Sequence, residues 1–259
     1  MTQAANSTRL RVFLAIEETP LFHTDFVEAL LRDTHDEIVG AARIVWTPPK
    51  ANLERYLIRN WYRLRPIEMM RLGWTALAGM ADFRGPTVRS VIDESGIPCF
   101  DVTKNINAPE YVERIRDCQP DVILSSQAHI FGETLLNLPK ICCLNRHASL
   151  LPSYAGLWAP FHAYRCGETK TGVSIHTMAK KIDEGIPLAQ RRVSCRDDDT
   201  LIGLYAKCFD ESADAVLEAL DRIRIGDLRA CTPNGKTSYF AFPTPQHWRE
   251  FRARGGRLA

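Results

Sequence analysis

The chain has 259 residues, with 33 Lys and Arg against 31 Asp and Glu, so its formal net charge is only +2. This balance argues against a protein that binds nucleic acid by bulk electrostatics, since such domains usually carry a large basic excess. The 45% hydrophobic and 25% charged fractions exclude disorder over most of the chain. No apolar run approaches the roughly 20 residues that cross a bilayer. The N-terminal apolar run is therefore interpreted as a first strand and not as a secretory signal.

The eight cysteines show no metal or disulfide pattern. None forms a CxxC pair, whereas a zinc site needs ligands clustered at short spacings. A disulfide framework usually goes with a small secreted chain. The sequence therefore predicts buried thiols in a reducing cytoplasm and no bound metal.

Short apolar runs alternate with helical patterns along the first part of the chain. In chain order the predicted elements are strand 11–16, helix 25–32, strand 37–46, strand 97–102, helix 109–117, strand 121–125, helical turn 133–138, strand 141–147, strand 172–178 and strand 187–193. Short strands that are apolar on both faces predict a mostly parallel sheet with flanking helices, which is an α/β, Rossmann-like fold.

The first strand-to-helix turn reads Glu17-Glu18-Thr19-Pro20, and the first glycine of the chain is Gly40. A dinucleotide-binding turn needs glycines that let the backbone approach a pyrophosphate. Two carboxylates at that place would repel one. The sequence therefore argues against a nicotinamide- or flavin-dependent enzyme.

Residues 51–83 differ in character from their surroundings. Arg55, Arg59 and Arg63 recur every four residues beside an aromatic and aliphatic side, and Pro66 predicts a break between two helices. We interpret the segment as an amphipathic insertion that packs its apolar side on the sheet. Contact with a membrane surface is a less favoured alternative, as is a site for a phosphorylated substrate.

The organisation changes after residue 195, which predicts a principal domain over 1–195 and a small C-terminal α/β extension over 196–259. The acidic run that starts at Asp197 is typical of a helix N-terminus and predicts one long helix to about Ile225. A short aromatic strand over 238–242 and a last helix over 245–254 follow.

The densest chemical pattern is ICCLNRHASLLPSYAG, residues 141–156. Side chains alternate along a strand, so Asn145 and His147 share one face and Arg146 points the other way. An amide and an imidazole at the C-terminal end of a buried strand are typical of a ligand crevice. A second polar residue, Asp183, lies in the predicted loop between strands 172–178 and 187–193.

Together these segments resemble the folate-dependent formyltransferases. The family pattern is Asn-x-His-x-Ser-Leu-Leu-Pro followed by an aspartate about 36 residues after the histidine, and Asn145, His147 and Asp183 match it. The resemblance covers about residues 97–195. Two departures stand out: Arg146 replaces a usual aliphatic residue, and Ile186 replaces a usual Asp or Pro, which affects the shape of the folate loop.

The resemblance implies that a formyl group passes from N10-formyltetrahydrofolate to a primary amine, without a metal. It gives Asn145 the role of oxyanion donor, His147 that of proton transfer, and Asp183 that of orienting the imidazole or a water. By position in the family pattern, the residues expected at the folate are Gln127, Ile130, Phe131, Lys180, Ile182 and Asp183. Those expected at the acceptor are Ser149, Tyr154, Gly156 and Trp158. For Ile130 and Phe131 a plain core position is the alternative.

The acceptor favoured by the resemblance is a small-molecule amine, above all a nucleotide-linked amino sugar. Another small amine, as in siderophore or antibiotic biosynthesis, is the nearest competitor. Methionyl-tRNA is less favoured, because those enzymes carry a C-terminal β-barrel and the 64 residues after 195 are predicted to be too few for one. Formyltetrahydrofolate hydrolysis and a non-catalytic folate-binding scaffold stay open as well. The aromatic strand over 238–242 is either a homodimer interface or an intramolecular edge strand.

Overall fold

The computed structural model of the protein describes residues 9–19, 22–45, 68, 86–231 and 236–259. Apart from Glu68, the predicted insertion over 51–83 lies outside the described residues, and so does its predicted break at Pro66. The strands are β1 Arg11–Glu17, β2 Glu37–Ile44, β3 Cys99–Val102, β4 Val122–Ser126, β5 Cys142–His147, β6 Ala155–Gly156, β7 Lys170–Thr177, β8 Pro187–Ser194 and β9 Tyr239–Phe240. The helices are α1 His23–Asp33, α2 Val88–Glu94, α3 Pro109–Asp117, α4 Glu133–Leu136, α5 Ala159–Cys166, α6 Leu201–Asp210, α7 Ser212–Arg224 and α8 Pro245–Ala253.

Seven strands form one twisted sheet in the order β3-β2-β1-β4-β5-β7-β8. The first five strands in this order are parallel. β7 runs antiparallel to β5, and β8 runs antiparallel to β7, so β7 is the one reversed strand among the described strands of the sheet. The predicted α/β fold with a mostly parallel sheet is confirmed. The boundaries of the predicted elements differ from the observed ones by one or two residues at most ends, where helices and strands fray.

The continuous apolar runs of β1 and β4 follow from burial on both faces of the sheet. Leu14 and Leu124 pack on one face against α1, α2 and α7, and Phe13 and Ile123 pack on the other face against α3 and α4. All four side chains are fully buried. Because helices cover both faces, polar groups that must reach a ligand are confined to the edge of the sheet where the parallel strands end.

The single long helix predicted to run from Asp197 to about Ile225 is wrong. The chain forms two helices, α6 and α7, which meet at Glu211. The hydroxyl of Ser212 donates to the carbonyl of Cys208 at 2.6 Å, a bond to the preceding turn that bends helices. The bend lets α6 contact β7 and α5 while α7 lies along β8 and α1.

The C-terminal extension returns to the principal domain at two places. Helix α8 packs on α5, where the ring of Phe251 stacks on Phe161 with 4.8 Å between centroids. Strand β9 pairs in parallel with β6, so Tyr239 lies opposite Ala155 and Phe240 opposite Gly156. The predicted strand over 238–242 is thus two residues long, and its backbone partner is intramolecular; the homodimer and the division at residue 195 stay predictions. None of the helices in the described ranges is long and apolar enough to cross a bilayer.

Candidate active site

The candidate site lies where β5 ends, and the pairing of β5 with β7 assembles it. Asn145 is in register with His176 across the antiparallel pair. His147 ends β5, and the loop that follows β7 carries Asp183 back over the strand ends. Four residues from two separate segments of the sequence thereby meet at one edge of the sheet.

The orientation of the Asn145 amide follows from a chain of hydrogen bonds. Nδ1 of His176 lies 2.9 Å from the carbonyl oxygen of Thr177, which can only accept, so this nitrogen donates. Burial, and then the nearby His147, lower the pKa of His176, so its ring is neutral at neutral pH. Nε2 of the neutral ring therefore accepts a hydrogen bond from Nδ2 of Asn145 at 3.1 Å. Among the described residues, the second N–H of the Asn145 amide has no hydrogen-bond partner.

His147 and Asp183 form the second part of the site. Nε2 of His147 donates to the carbonyl oxygen of Tyr154 at 3.0 Å. Its Nδ1 faces Oδ2 of Asp183 at 3.6 Å. The other carboxylate oxygen of Asp183 lies 3.5 Å from Nε2 of His176. The carboxylate of Asp183 thus lies between two imidazole rings, within 3.6 Å of one nitrogen of each.

The backbone holds Asp183 in an unusual conformation. Its φ is +56°, in the left-handed region that non-glycine residues seldom adopt. Oδ2 of Asp183 accepts a hydrogen bond from the backbone N–H of Gly156 at 2.8 Å. Gly156 has a φ of +94°, and a Cβ on it would lie 2.2 Å from the carbonyl oxygen of Phe240 in β9. The close approach of β9 therefore fixes the backbone at Gly156, whose N–H donates the hydrogen bond to Asp183.

A cavity of about 420 Å³ opens on one side of this group. Residues predicted to bind the folate line it: Gln127, Ile130, Phe131, Lys180, Ile182 and Asp183. Ile130 is 64% exposed and Ile182 is 45% exposed, which is typical of a pocket wall. Phe131 is 4% exposed and packs in the core as well as touching the cavity, so its core alternative also holds.

A second cavity of about 350 Å³ lies against the first, on the side of β1 and α1. Its walls include Glu17, His23, Ser126, Trp158 and Tyr205. Both cavities are bordered by Arg146, His147 and Gly156. Two of the residues predicted to contact an acceptor, Gly156 and Trp158, thus line this cavity.

The remaining two predicted acceptor residues lie away from both cavities. Ser149 is 1% exposed, and its hydroxyl donates to the carbonyl of Ser153 at 2.8 Å, which shapes the turn after β5. The ring of Tyr154 stacks on Phe240, and its hydroxyl donates to Glu168 at 2.7 Å. That these side chains touch an acceptor stays a prediction; the carbonyl of Tyr154 accepts the hydrogen bond of His147.

Sequence reasoning missed two residues of the site. His176 lies in the predicted strand 172–178. The alternation of side chains along that strand shows on which face of the sheet His176 lies, but the pairing with Asn145 depends on the register between two strands, which the local sequence does not show. Tyr239 lines the first cavity and is 58% exposed. It arrives there only through the pairing of β9 with β6, for which no local pattern exists. Within the described ranges no group of three His, Cys, Asp or Glu side chains has the arrangement of a metal site.

Fold and site together define an α/β protein whose sheet edge joins an amide donor, an imidazole and a carboxylate between two cavities. The chain belongs to the formyl transferase family, whose sequence profile matches residues 81–220, more than half of its length. The profile ends within α7, so it contains all three of the predicted catalytic residues.

Among its relatives, the chain is 37% identical over 142 residues to the methionyl-tRNA formyltransferase of Thermotoga neapolitana, covering 54% of this chain and 45% of that protein. It is 35% identical over 145 residues to the enzyme of that name from Geobacter metallireducens, covering 55% of this chain and 46% of the relative. The chain thus spans about half the length of these relatives.

Solved structures share the fold at low sequence identity. A phosphoribosylglycinamide formyltransferase from Anaplasma phagocytophilum aligns with a TM-score of 0.60 and 18% identity, covering 90% of this chain and 99% of that one. A sugar N-formyltransferase from a Shewanella species aligns with a TM-score of 0.56 and 15% identity, covering 94% and 87%.

Acid should destabilise the protein through its buried neutral histidines. Burial and the nearby Arg146 lower the pKa of His23 to about 3, and burial also lowers that of His176. In the unfolded chain these histidines have the ordinary pKa of about 6.5, so below that pH the unfolded chain binds more protons than the folded one. The free energy of unfolding should therefore decrease by about 1.4 kcal/mol for each such ring and each pH unit by which the pH is lowered. Denaturant unfolding between about pH 7 and pH 5 measures this slope. His23→Gln should reduce it, and His35→Gln, at an exposed ring, should not; equal slopes in all three proteins would refute the assignment.

Proposed function

We propose that this protein transfers a formyl group from N10-formyltetrahydrofolate to a primary amine. The observation that carries the proposal is that two cavities meet at His147, with Asn145 and Asp183 beside it. Such a reaction needs two substrates bound side by side, so that the formyl carbon and the amine nitrogen both reach the same hydrogen-bond donor and the same proton carrier. The first cavity offers the exposed apolar walls that a flat heterocycle needs, and the second is open to an amine.

The chemistry requires one donor and one proton carrier. As the amine nitrogen bonds to the formyl carbon, negative charge develops on the formyl oxygen, and the free N–H of Asn145 can donate to it without titrating. The amine then loses a proton, and the departing folate nitrogen gains one as its bond to carbon breaks. His147, whose Nδ1 faces Asp183, carries that proton, and Asp183 stabilises the imidazolium.

For the acceptor we propose a small amine, with a nucleotide-linked amino sugar as the preferred class. The second cavity combines an aromatic side chain, Trp158, with polar groups of Glu17, Ser126 and Tyr205, and sugars need both an apolar face and hydroxyl partners. Methionyl-tRNA is the second candidate, and the 33–37% identity to enzymes of that name favours it. Against it stands the net charge of +2, since RNA binding usually needs a basic surface. We propose the cytoplasm as the location.

The test of this function is an assay with 10-formyltetrahydrofolate and a panel of acceptors. The panel holds UDP-, GDP- and dTDP-linked amino sugars, simple amines and methionyl-tRNA. Tetrahydrofolate that forms only with a sugar acceptor supports the proposal. Release of free formate without any amine would indicate a hydrolase instead, and turnover with methionyl-tRNA alone would overturn the small-molecule assignment. Absence of turnover with every acceptor would indicate a folate-binding protein.

Substitution of any one of the three catalytic residues should nearly abolish transfer without unfolding the protein. Loss of an oxyanion donor costs about 10²–10³ in rate, so Asn145→Ala should lower kcat by that factor. Loss of the proton carrier costs about 10²–10⁴, which sets the expectation for His147→Ala, and Asp183→Ala should approach it. Single-turnover kinetics give the rates, and thermal unfolding shows whether each variant is folded. Turnover close to the wild-type rate in any folded variant would remove that residue from the mechanism.

Tyr239 should contribute to binding of the folate through its ring. Stacking of aromatic groups is worth about 0.5–1.5 kcal/mol, so Tyr239→Ala should raise the KM for 10-formyltetrahydrofolate about 2- to 10-fold. Tyr239→Phe keeps the ring and serves as the matched control, with a KM near that of the wild type. A KM that changes equally in both variants would point to the hydroxyl, and an unchanged KM in Tyr239→Ala would exclude the contact.

A further inference from the structure

Arg146 is a half-buried cation that has no anionic partner among the described residues. Its Nε donates to the hydroxyl of Ser126 at 2.9 Å, and Nη1 lies 3.4 Å from the hydroxyl of Ser212. Its guanidinium stacks over the ring of Phe209 at 3.7 Å. No carboxylate of the described part of the chain forms an ion pair with it, although such pairs join other arginines there. Each contact thus positions the guanidinium without neutralising its charge.

The charge persists at neutral pH and borders the second cavity. Burial lowers the pKa of Arg146 only to about 10, so the side chain stays protonated. The same cavity wall holds two further possible donors, the hydroxyl of Tyr205 and that of Ser126. Glu17 also lines this cavity, but neither a hydrogen bond nor an ion pair within the described ranges joins it to Arg146. A cation withdrawn from water is costly unless something pairs with it.

We propose that Arg146 forms an oxyanion subsite in the second cavity, so that the acceptor carries a carboxylate or a phosphate in addition to its amine. This inference rests on the proposed function, because it assigns the second cavity to the acceptor. The planar guanidinium matches both oxyanions by paired N–H donors. Stacking on Phe209 already fixes the plane of the guanidinium, so little conformational entropy of the Arg146 side chain is lost when an anion binds. Because Arg146 directly precedes His147 in β5, the anion of the acceptor would fix the amine relative to the proton carrier.

The competing explanation is that Arg146 only stabilises the packing of α6 and α7 on the sheet. Its contacts with Phe209 and Ser212 belong to those helices. A purely structural arginine would change stability when substituted but would leave the response to anions unchanged. Anion binding is therefore the measurement that separates the two explanations.

The experiment measures the thermal unfolding midpoint of the protein against inorganic phosphate and, separately, against acetate, with ionic strength held constant by sodium chloride. Salts of this kind also stabilise proteins without binding, so only a saturable rise counts. The variants are Arg146→Met and Arg146→Lys, with Arg192→Met as the control at an exposed arginine of β8. The anion that saturates, phosphate or acetate, identifies which oxyanion the subsite takes.

We expect a saturable rise in the wild type and in Arg192→Met. Hydrogen bonds to a charged group contribute enough that Arg146→Met should bind at least about 10-fold more weakly. Arg146→Lys keeps the charge but loses the paired donors and should bind several-fold more weakly; it decides the question if Arg146→Met does not fold. No saturable response in the wild type, or equal affinity in the folded Arg146 variants, overturns the subsite. Neither result depends on turnover, so the acceptor assay tests the proposed function separately.

Discussion

The antiparallel pairing of β5 with β7 is the constraint on which the candidate site depends. It places Asn145 opposite His176 and directs the following loop, with Asp183, back across the strand ends. The parallel strands before it supply the buried platform and, at their ends, Glu17 and Ser126 of the second cavity. Because β7 runs against β5, its C-terminal loop does not cross over through a helix but turns within a few residues of the site. A reversal of one strand in an otherwise parallel sheet thus builds the polar cluster.

Sequence reasoning succeeded where chemistry or periodicity is local. The alternation of side chains along β5 placed Asn145 and His147 together and Arg146 on the opposite face, as observed. The α/β fold followed from short strands that are apolar on both faces. The position of Asp183 beside His147 rested on a resemblance in spacing, since no local pattern shows that a loop returns to a given strand.

What the sequence could not supply depends on tertiary register. His176 becomes part of the site only through its pairing with Asn145, and Tyr239 only through a two-residue strand near the end of the chain. Ser149 belongs to the matching motif, yet its hydroxyl is bonded to Ser153 in a turn. The bend between α6 and α7 is absent from the amphipathic pattern; the hydroxyl of Ser212, bonded to the carbonyl of Cys208, lies at that bend.

The contact between Gly156 and β9 couples the C-terminal segment to the candidate site. The amide of Leu157 donates to the carbonyl of Phe240 at 2.8 Å, on the far side of the glycine that holds Asp183. The C-terminal segment is therefore not an independent appendage of this protein. A shift in the path of residues 238–240 reaches the carboxylate of Asp183 through one peptide unit. Substitutions in that segment can thus change the geometry around His147 without contacting a ligand.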